Sequence, residues 1–380
     1  MPSLCLVAGD PSGDAHAAAL VEALTRLRPD LSFVGLGGSR MQQAGVELLD
    51  DLTQTAAIGP FDAARHIGTF VRARRRLADF LRDRRPTAAV LIDFGDFNLP
   101  VVAPLLKRHQ IPICYYISPQ LWAWGRFRLR WVRRYVDRMI VLFQFEEAFY
   151  RRAGIPVTWV GHPVVEQAKA SVSREQAAAE LGVNPWRMTV GLLPGSRAGE
   201  VARHLPLLIA AARRIAWHMP GVQFLLPKAP HLSANLFRAV RAPLGIDLIV
   251  SENRIADALQ LMDGAIVSSG TATLETALFE VPMVVVYRTS WPTYLAAKLV
   301  VRLPHIAMVN LIAGREVVPE FIQHRATPGG IAKALVDVLR NQERNLVMRT
   351  ALRAVKEQLG PPGAVDRAAR AVLEILQASP

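Results

Sequence analysis

Short apolar runs alternate with longer amphipathic stretches along the chain. In the first half the runs are LCLVAG, LSFVGLGG, AAVLIDF, ICYYIS, RMIVLF and VTWVG, and each is followed by a polar or helical segment. Short runs of this kind, separated by helices, predict a parallel sheet with crossover connections. The pattern starts again with MTVGLLPG, VQFLLP, IDLIV, GAIVSS and MVVVYR. This repetition predicts a second sheet of the same type.

The break between the two patterns divides the chain into domains. Residues 166–186 are charged and Ala-rich and contain no apolar run, and only helical periodicity remains after residue 327. We therefore expect an α/β fold of two Rossmann-like domains over residues 1–165 and 166–355, with the ligand in a cleft at the carboxyl ends of the strands. A C-terminal helix over 356–380 is expected to pack back on the N-terminal domain or on a partner subunit.

The composition is that of a globular protein with excess positive charge. Of 380 residues, 51% are hydrophobic, and 45 basic against 32 acidic residues give a net charge of +13. This charge favours an anionic partner: a nucleic acid, a phosphate-bearing substrate or an acidic bilayer surface. Cys5 and Cys114 lie in apolar runs, which excludes a disulfide framework and fits a reducing cytoplasm. No stretch approaches ~18 uninterrupted apolar residues, so we expect no membrane-spanning segment.

Two strand-turn-helix segments in the second half have the features of phosphate-binding sites. In residues 267–288, a turn of small residues leads from an apolar run into a helix, and in LLPGSRAGEV a similar turn carries an arginine. Unpaired amides and the dipole at a helix N-terminus attract anions, and a guanidinium adds charge. We expect a nucleoside diphosphate to contact Gly195, Ser196, Arg197, Ser269, Gly270 and Thr271, with Glu275 on the ribose and Tyr287 nearby.

Motifs for NAD and P-loop chemistry are missing. Gly35, Gly37 and Gly38 do not form G-x-G-x-x-G because position 40 is Arg, and LPGSRAGE lacks the Gly-Lys-Ser/Thr ending of a Walker loop. We therefore expect no cofactor.

Carboxylates follow two apolar runs of the first half. Asp93 and Asp96 lie in IDFGDFN. Their possible roles are a pair of metal ligands, a base with the residue that orients it, or a helix cap and a turn residue. The D-x-x-D spacing without a His cluster argues against a metal. A carboxylate at the end of a strand is well placed as a general base, with Asp96 and Asn98 holding Asp93. In GDPSGDAH, Asp14 and His16 either bind a sugar or form a tight turn with Asp14 as helix N-cap.

Aromatic and arginine residues are interleaved in two segments. In YYISPQLWAWGRFRLRWVRR they suit single-stranded RNA, an acyl chain or a membrane interface, and a helix with one core face is the simpler alternative. The same choice applies to residues 58–86, where an amphipathic core helix also explains the periodicity. The candidate membrane contacts there are Phe61, Ile67, Phe70, Val71, Arg72 and Arg75.

Two further segments leave a structural role open. His162, in GHP near the domain junction, is expected to cap or pack. In HIAMVNLIAGREVVPEF, the residues Asn310, Arg315 and Glu316 either line the cleft or make structural hydrogen bonds.

A series of motifs extends across nearly the whole chain: GDPSGD (9–14), IDFGDFN (92–98), YISPQLWAW (116–124), GHP (161–163), LLPGSR (192–197), SGTATLE (269–275), PMVVVYR (282–288) and NLIAGRE (310–316). In this order they resemble the lipid-A-disaccharide synthase family of GT-B glycosyltransferases.

The resemblance implies transfer from UDP-2,3-diacylglucosamine to 2,3-diacylglucosamine 1-phosphate, with inversion to a β(1→6) link, release of UDP and no metal. It implies a homodimer with exchanged carboxy-terminal segments, peripheral on the cytoplasmic face of the inner membrane. Asp93 would be the base on the acceptor 6-hydroxyl, Arg197 the phosphate contact, and Asn310 would complete the site. Candidate acceptor or sugar contacts are Asp10, Ser12, Asp14, His16, Ser118, Gln120, Trp122, Arg315 and Glu316.

The chain departs from the family pattern in places. The first loop reads GDPSGD instead of G-E-x-S-G-D, and FGD (94–96) and MVN (308–310) replace A-P-D and L-P-N. We expect the chemistry to survive while acyl-chain or acceptor preference differs. Two alternatives stay open. One is another UDP-sugar enzyme, such as a 2-epimerase or a peptidoglycan-precursor transferase, and the other is a nucleic-acid binder, which is disfavoured because no RNA module is recognisable.

Overall fold

The apolar runs form two parallel sheets, one in each of two units. The computed structural model describes residues 2–53, 67–123, 125–229, 232–233, 235–237, 245–252, 254–300 and 303–378. Unit 1 comprises Met1–Pro163 and Gly360–Pro380, and unit 2 comprises Val164–Leu359. Within these described ranges, every helix is too short or too polar to cross a membrane.

The strands of unit 1 are β1 Ser3–Ala8, β2 Ser32–Gly37, β3 Glu47–Asp51, β4 Ala88–Ile92, β5 Ile113–Tyr116, β6 Arg138–Val141 and β7 Val157–Trp159. The strands of unit 2 are β8 Thr189–Leu193, β9 Gln223–Lys228, β10 Leu248–Glu252, β11 Gly264–Ser268, β12 Met283–Tyr287 and β13 Glu320–Ile322.

The helices of the first half are α1 Pro11–Leu27, α2 Ser39–Gln43, α3 Ile67–Asp83, α4 Gly95–Phe97, α5 Ala103–Arg108, α6 Leu129–Tyr135, α7 Gln144–Arg152, α8 Val164–Gln167 and α9 Arg174–Leu181. Those of the second half are α10 Ala198–His218, α11 Ile255–Leu259, α12 Thr271–Leu278, α13 Trp291–Val300, α14 Met308–Ala313, α15 Pro328–Arg340, α16 Gln342–Gln358 and α17 Ala364–Ala378.

The sheet of unit 1 has the order β3-β2-β1-β4-β5-β6-β7, and its strands pair in parallel. Alternate residues of β1 face opposite sides: Leu4 and Leu6 pack with α1 and α17, whereas Cys5 and Val7 pack with α3 and α5. Both faces are therefore covered, as parallel sheets require. Burial raises the pKa of the Cys5 thiol to about 12, and that of Cys114 likewise.

The sheet of unit 2 has the order β10-β9-β8-β11-β12-β13, again with parallel pairs. One of its faces packs on α10 and α15, where Leu208 and Leu335 join the same buried cluster as Ile266 of β11. In each sheet the strand order reverses beside the first strand, between β1 and β4 and between β8 and β11. Ligands of open α/β sheets bind beyond the carboxyl ends of the strands at such reversals.

The fold differs from the sequence-based expectation at two short strands and at one boundary. Strands β3 and β13 were not predicted because ELLDD and EFI contain no apolar run of strand type. The boundary expected after residue 355 falls inside α16, and the chain instead changes units at Gly360, where the Gly-Pro-Pro-Gly sequence interrupts the helices. After this break α17 packs on α1 within unit 1.

Candidate active site

The loops after β1, β4 and β5 lie side by side, because these strands are neighbours in a parallel sheet. The first two of these loops pack tightly: a Cβ at Gly9 would lie 2.1 Å from the ring of Phe94. Only glycine fits at that position. This contact holds the loop that carries Asp10 against the loop that carries Asp93.

The Asp93 carboxyl is half-buried, and its pKa is raised to about 6. Burial is the largest cause, and the negative charges of Asp10 and Asp96 add to it. The residue has a φ of +43°, in the left-handed region, where its N–H donates to the carbonyl of Tyr116 at 3.0 Å. A carboxylate with this pKa is ionised at neutral pH and is a better proton acceptor than an exposed aspartate.

Asn98 and Tyr115 fix this loop through its backbone. The buried Asn98 amide donates to the Asp93 carbonyl oxygen at 2.9 Å, and the Tyr115 hydroxyl donates to the same oxygen at 2.5 Å. Asp96 is exposed and pairs with Arg128 at 2.5 Å. Asn98 thus holds Asp93 through its peptide, as expected, whereas Asp96 acts on the Asp93 carboxyl through its charge.

The first loop uses its two aspartates to cap helices. Asp10 is the N-cap of α1 and accepts from the Gly13 amide at 2.6 Å. Asp14 is buried, and its carboxylate accepts from the backbone amides of Gly38, Arg40 and Met41. Asp14 thus caps the start of α2, and neither the N-cap of α1 nor a sugar contact is its role. Ser12 is exposed, and His16 is half-buried with a pKa lowered mainly by burial.

Beyond β5 the side chains divide between the interior and the surface. The Ser118 hydroxyl is buried and lies 2.6 Å from that of Tyr150, so it is a structural group and not the expected acceptor contact. Gln120 is exposed. The Trp122 indole donates to the buried Glu146 carboxylate at 3.1 Å, and burial raises the pKa of Glu146 to about 7. Trp122 is therefore held in one orientation at this edge of the sheet.

In unit 2 the two turns expected to bind phosphate follow the neighbouring strands β8 and β11, and β12 lies next to β11. Gly195 has a φ of +115°, and a Cβ there would lie 2.7 Å from the Glu200 carboxylate, so the turn requires glycine. Ser196 and Arg197 are exposed at the start of the 21-residue helix α10. The Arg197 side chain is 76% exposed and its guanidinium lies 3.3 Å from Glu200, so it can swing to an anion in front of the helix.

The second turn has the same form. Gly270, with a φ of +151°, is the N-cap of the eight-residue helix α12, and Thr271 beside it is exposed. Ser269 and Tyr287 are half-buried at the ends of β11 and β12. Glu275 lies one turn into α12, where burial raises its pKa. The six expected diphosphate contacts thus lie on two adjacent loops of one sheet edge, with Glu275 and Tyr287 beside them.

The Asn310 side chain is fully buried and points away from this edge. Its amide nitrogen donates to Val318 O at 2.9 Å and to Glu320 at 2.8 Å, and its oxygen accepts from the amides of Val317 and Val318. Every hydrogen-bonding position of the amide is then used. Asn310 is therefore a structural residue here, which corrects the expectation that it contacts substrate.

Glu320 connects Asn310 with the second turn. Its carboxylate also accepts from the amides of Ile306 and Ala307, at 2.9 and 3.0 Å. The carbonyl of Ile306 in turn accepts from the Ser269 hydroxyl at 3.3 Å. Asn310 is thus connected to the second turn through Glu320 and Ile306.

Arg315 and Glu316 lie at the opposite edge of the sheet. They precede β13, in which Glu320 pairs with Val285 in the middle of β12, so they lie toward the amino ends of the strands. There they line a cavity of about 740 Å³ with the end of α15 and the start of α16. The expectation that they contact sugar at the carboxyl edge is therefore wrong.

Part of α3, the candidate membrane helix, packs against or pairs with other residues of unit 1. The Phe70 ring lies 5.8 Å from that of Phe94 and 5.3 Å from that of Phe97, beside the Asp93 loop. Arg72 pairs with Asp50 at 2.9 Å. Phe70 thus packs as the core-helix alternative expects, whereas the Arg72 side chain is paired but remains 53% exposed.

The other candidates on α3 face solvent. Ile67, Val71 and Arg75 are exposed, the first two by 59% and 52%. Phe61 lies outside the described residues. Within the described part of the chain, no group of three or more His, Cys, Asp or Glu side chains has the arrangement of a metal site.

Three polar residues, of which Glu146 and His204 are buried and Glu320 is half-buried, carry roles that the motifs did not mark. Glu146 orients Trp122, Glu320 holds the segment behind Ser269, and His204 of α10 lies among the ends of β8, β11 and β12. The Glu146 carboxylate accepts from the Phe143 amide at 3.2 Å, but no sequence signature marks this contact because Phe143 lacks the side-chain oxygen of a capping box. His162, expected to cap or pack, is buried against the Phe143 ring with its pKa lowered by burial to about 3.

The family model and two relatives that match this chain carry the same family name. A family model described as Lipid-A-disaccharide synthetase matches residues 4–375. The lipid-A-disaccharide synthase of Geobacter sulfurreducens is 42% identical over 98% of this chain and 97% of its own length. That of Myxococcus xanthus is 40% identical over 99% of this chain and 98% of its own.

Solved structures with little sequence identity share the fold. The calicheamicin glycosyltransferase CalG4 has a TM-score of 0.65 at 14% identity, covering 99% of this chain and 98% of its own. The UDP-GlcNAc 2-epimerase of Neisseria meningitidis, solved with UDP-GlcNAc bound, has a TM-score of 0.61 at 13% identity over the whole of both chains. These similarities confirm the fold of two Rossmann-like domains. By its family match and its relatives, the chain belongs to the lipid-A-disaccharide synthase family of glycosyltransferases.

Proposed function

We propose that the chain transfers 2,3-diacylglucosamine from UDP-2,3-diacylglucosamine to the 6-hydroxyl of 2,3-diacylglucosamine 1-phosphate. Membership of the family and the names of the relatives support this reaction. The acceptor oxygen forms a bond to the anomeric carbon, the bond from that carbon to the UDP oxygen breaks, and the configuration inverts. One proton leaves the acceptor hydroxyl, and UDP departs with the electron pair.

Asp93 is the general base in this proposal. Its raised pKa, its place at the end of β4 and the backbone bonds that hold its loop support the role. A base matched in this way contributes ~10²–10⁴ in rate. Trp122, held by Glu146, is proposed to pack against the acceptor.

The two turns of unit 2 bind the donor diphosphate in this proposal. Amides at the starts of α10 and α12 donate to the phosphate oxygens, and Arg197 stabilises the charge that develops on the departing UDP. The Glu275 carboxylate accepts hydrogen bonds from the ribose hydroxyls. The proposed base and the proposed leaving-group contacts lie in different units.

Acylated substrates lie in a bilayer, so we propose that the protein works on the cytoplasmic face of the inner membrane. The exposed Ile67 and Val71 of α3, one turn apart, support this with Arg75 on the same helix. Apolar side chains at this spacing enter the acyl boundary while arginines meet phosphates. Vesicle flotation of wild-type protein and of an Ile67→Ser, Val71→Ser double variant tests this, and equal binding would contradict it.

The observation that carries the proposal is the half-buried Asp93 carboxylate, with its raised pKa, at the strand reversal of unit 1. The decisive experiment incubates the purified protein with both diacylated substrates and follows the disaccharide 1-phosphate and UDP by mass spectrometry. We expect both products in equal amounts. Turnover of UDP-N-acetylglucosamine alone, without acylated substrate, would instead favour a 2-epimerase.

A further inference from the structure

We propose that His204 is a positioning residue of the donor site, where one buried imidazole joins the ends of the three strands that carry the donor contacts. The inference rests on the proposed function, because it takes the two glycine turns as the place where the UDP part of the donor binds. His204 itself does not touch the donor in this proposal. It acts through the backbone and side-chain atoms that it holds.

The contacts of His204 reach three different strand ends. Its Nδ1 lies 3.0 Å from the carbonyl of Pro194, just after β8, and 3.1 Å from the hydroxyl of Ser268, the last residue of β11. Its Nε2 lies 3.0 Å from the amide nitrogen of Arg288, just after β12. The side chain has no exposed surface.

The hydrogen bonds and the burial of the ring together favour one protonation state. Nε2 lies 3.0 Å from the Arg288 amide, which can only donate, and 3.2 Å from the Arg288 carbonyl, which can only accept. In the neutral ring Nε2 accepts from the amide. The proton is then on Nδ1, from which it is donated to the Pro194 carbonyl, with the Ser268 oxygen nearby. Burial, the largest cause, lowers the pKa of His204, which agrees with a neutral ring.

Each held atom is next to a proposed donor contact along the chain. Pro194 precedes Gly195, Ser268 precedes Ser269, and Arg288 follows Tyr287. His204 also belongs to α10, whose N-terminus follows Arg197. The ring therefore sets the position of the helix that faces the phosphate relative to the neighbouring turn.

A purely packing role would need no such bonds. A leucine would fill much of the same space but would leave an amide, a carbonyl and a hydroxyl without this partner. Each of these losses misplaces or loosens one strand end, and unpaired buried polar groups are costly. The effect of removing the ring should thus appear in donor binding beyond any general loss of stability.

The test compares His204→Leu, His204→Gln and the control Leu208→Ala, and measures UDP dissociation constants by calorimetry together with melting temperatures. Leu208 is buried on the same helix and makes no hydrogen bond to the turns through its side chain. We expect His204→Leu to weaken UDP binding by ~10-fold or more. The glutamine side chain has both an acceptor and a donor. His204→Gln should therefore show at most half of the change in the logarithm of the UDP dissociation constant that His204→Leu shows. The control should melt earlier and bind UDP as the wild type does.

Steady-state kinetics provide a second readout. For His204→Leu the KM for the donor should rise more than kcat falls, whereas Leu208→Ala should leave both unchanged at a temperature where it is folded. If His204→Leu does not fold, His204→Gln is compared with the control in its place, and a UDP affinity reduced by ~2-fold or more is then expected.

Unchanged UDP affinity in the folded His204 variants, or an equal loss of affinity in the control, would overturn the positioning role. The proposed function fails in a different way. Wild-type protein that binds UDP in a His204-dependent manner but forms no disaccharide would refute the transfer reaction and leave the role of His204 intact.

Discussion

The carboxyl edges of the two sheets have the same architecture and opposite chemistry. Both place two loops at a reversal of strand order, and both need a glycine that admits no side chain, at Gly9 and at Gly195. In unit 1 those loops carry Asp10 and Asp93, whose charges repel. In unit 2 they carry helix N-termini and an exposed arginine. The same fold therefore carries an acidic loop pair in one unit and a pair of helix N-termini with an arginine in the other.

Burial separates the two edges further. Asp93 is half-buried, which raises its proton affinity, whereas Arg197 is mostly exposed and can move toward a ligand. A base benefits from desolvation, because its charged form is then less stable and takes a proton more readily. A side chain that binds phosphate benefits from exposure, because it can then move toward the ligand. If the two edges divide the reaction in this way, variants in each should give distinct losses.

The largest expected effect is that of Asp93→Asn on transfer. The amide cannot accept the acceptor proton, so kcat should fall by ~10²–10⁴-fold. UDP affinity should remain within ~2-fold, since the donor contacts lie on the other unit. Stopped assays with both diacylated substrates and calorimetry with UDP measure the two quantities. Loss of UDP binding in this variant would break the proposed division between the units.

Arg197→Ala should give the second largest effect. A charge-assisted hydrogen bond contributes ~1.5–3 kcal/mol, which corresponds to ~10–100-fold weaker UDP binding. We expect kcat to fall as well, because the same guanidinium stabilises the leaving group. Arg370→Ala, which removes an exposed arginine from α17 of unit 1, is the matched control and should bind UDP normally. Similar losses in both variants would mean that net charge alone attracts UDP.

The pH dependence of transfer gives a smaller but more specific effect. The pKa of Asp93 is raised to about 6, so the base is ionised above this value and protonated below it. The kcat/KM value should therefore be level above about pH 7 and decrease toward tenfold per pH unit below about pH 6. Profiles measured between pH 5 and 8 would show this acidic limb in the wild type. Persistence of the limb in the residual activity of Asp93→Asn would assign it to another group.

The smallest expected effect is on stability. Folding raises the pKa of Asp93, so the folded state favours the protonated carboxyl, and this stabilisation is lost as the pH rises through about 6. Asparagine carries no charge at any pH, so the folded variant does not lose stability through this residue as the pH rises. Asp93→Asn should consequently melt at a higher temperature than the wild type at pH 8 and at nearly the same temperature at pH 4. Differential scanning fluorimetry at both values measures the difference, and destabilisation at pH 8 would contradict it.

The sequence was sufficient wherever a signal is local. Strands β1, β4, β8 and β11 coincide with apolar runs, and the turns around Gly195 and Gly270 have their glycines at positive φ. The family motifs then led to the correct fold and family. Hydrophobic periodicity and turn composition depend on neighbouring residues, so they can be read without a structure.

What the sequence did not reveal depends on partners far along the chain. Asp14 reaches amides beginning 24 residues away, and His204 joins atoms up to 84 residues away. Asn310 was expected at the substrate because of its motif, yet its amide is satisfied by the turn before β13. Spacing alone cannot show whether a polar side chain faces inward or toward a ligand, because that choice is made by tertiary packing.

The two cysteines have a practical consequence. Both thiols are buried and keep their protons at any ordinary pH, since burial raises their pKa values to about 12. Alkylation requires the thiolate, so the wild-type protein should remain unlabelled by maleimide dyes while it is folded. One cysteine introduced on the surface of each unit would then be the only reactive pair. Two dyes could then be attached, one to each unit, without any change to the native cysteines.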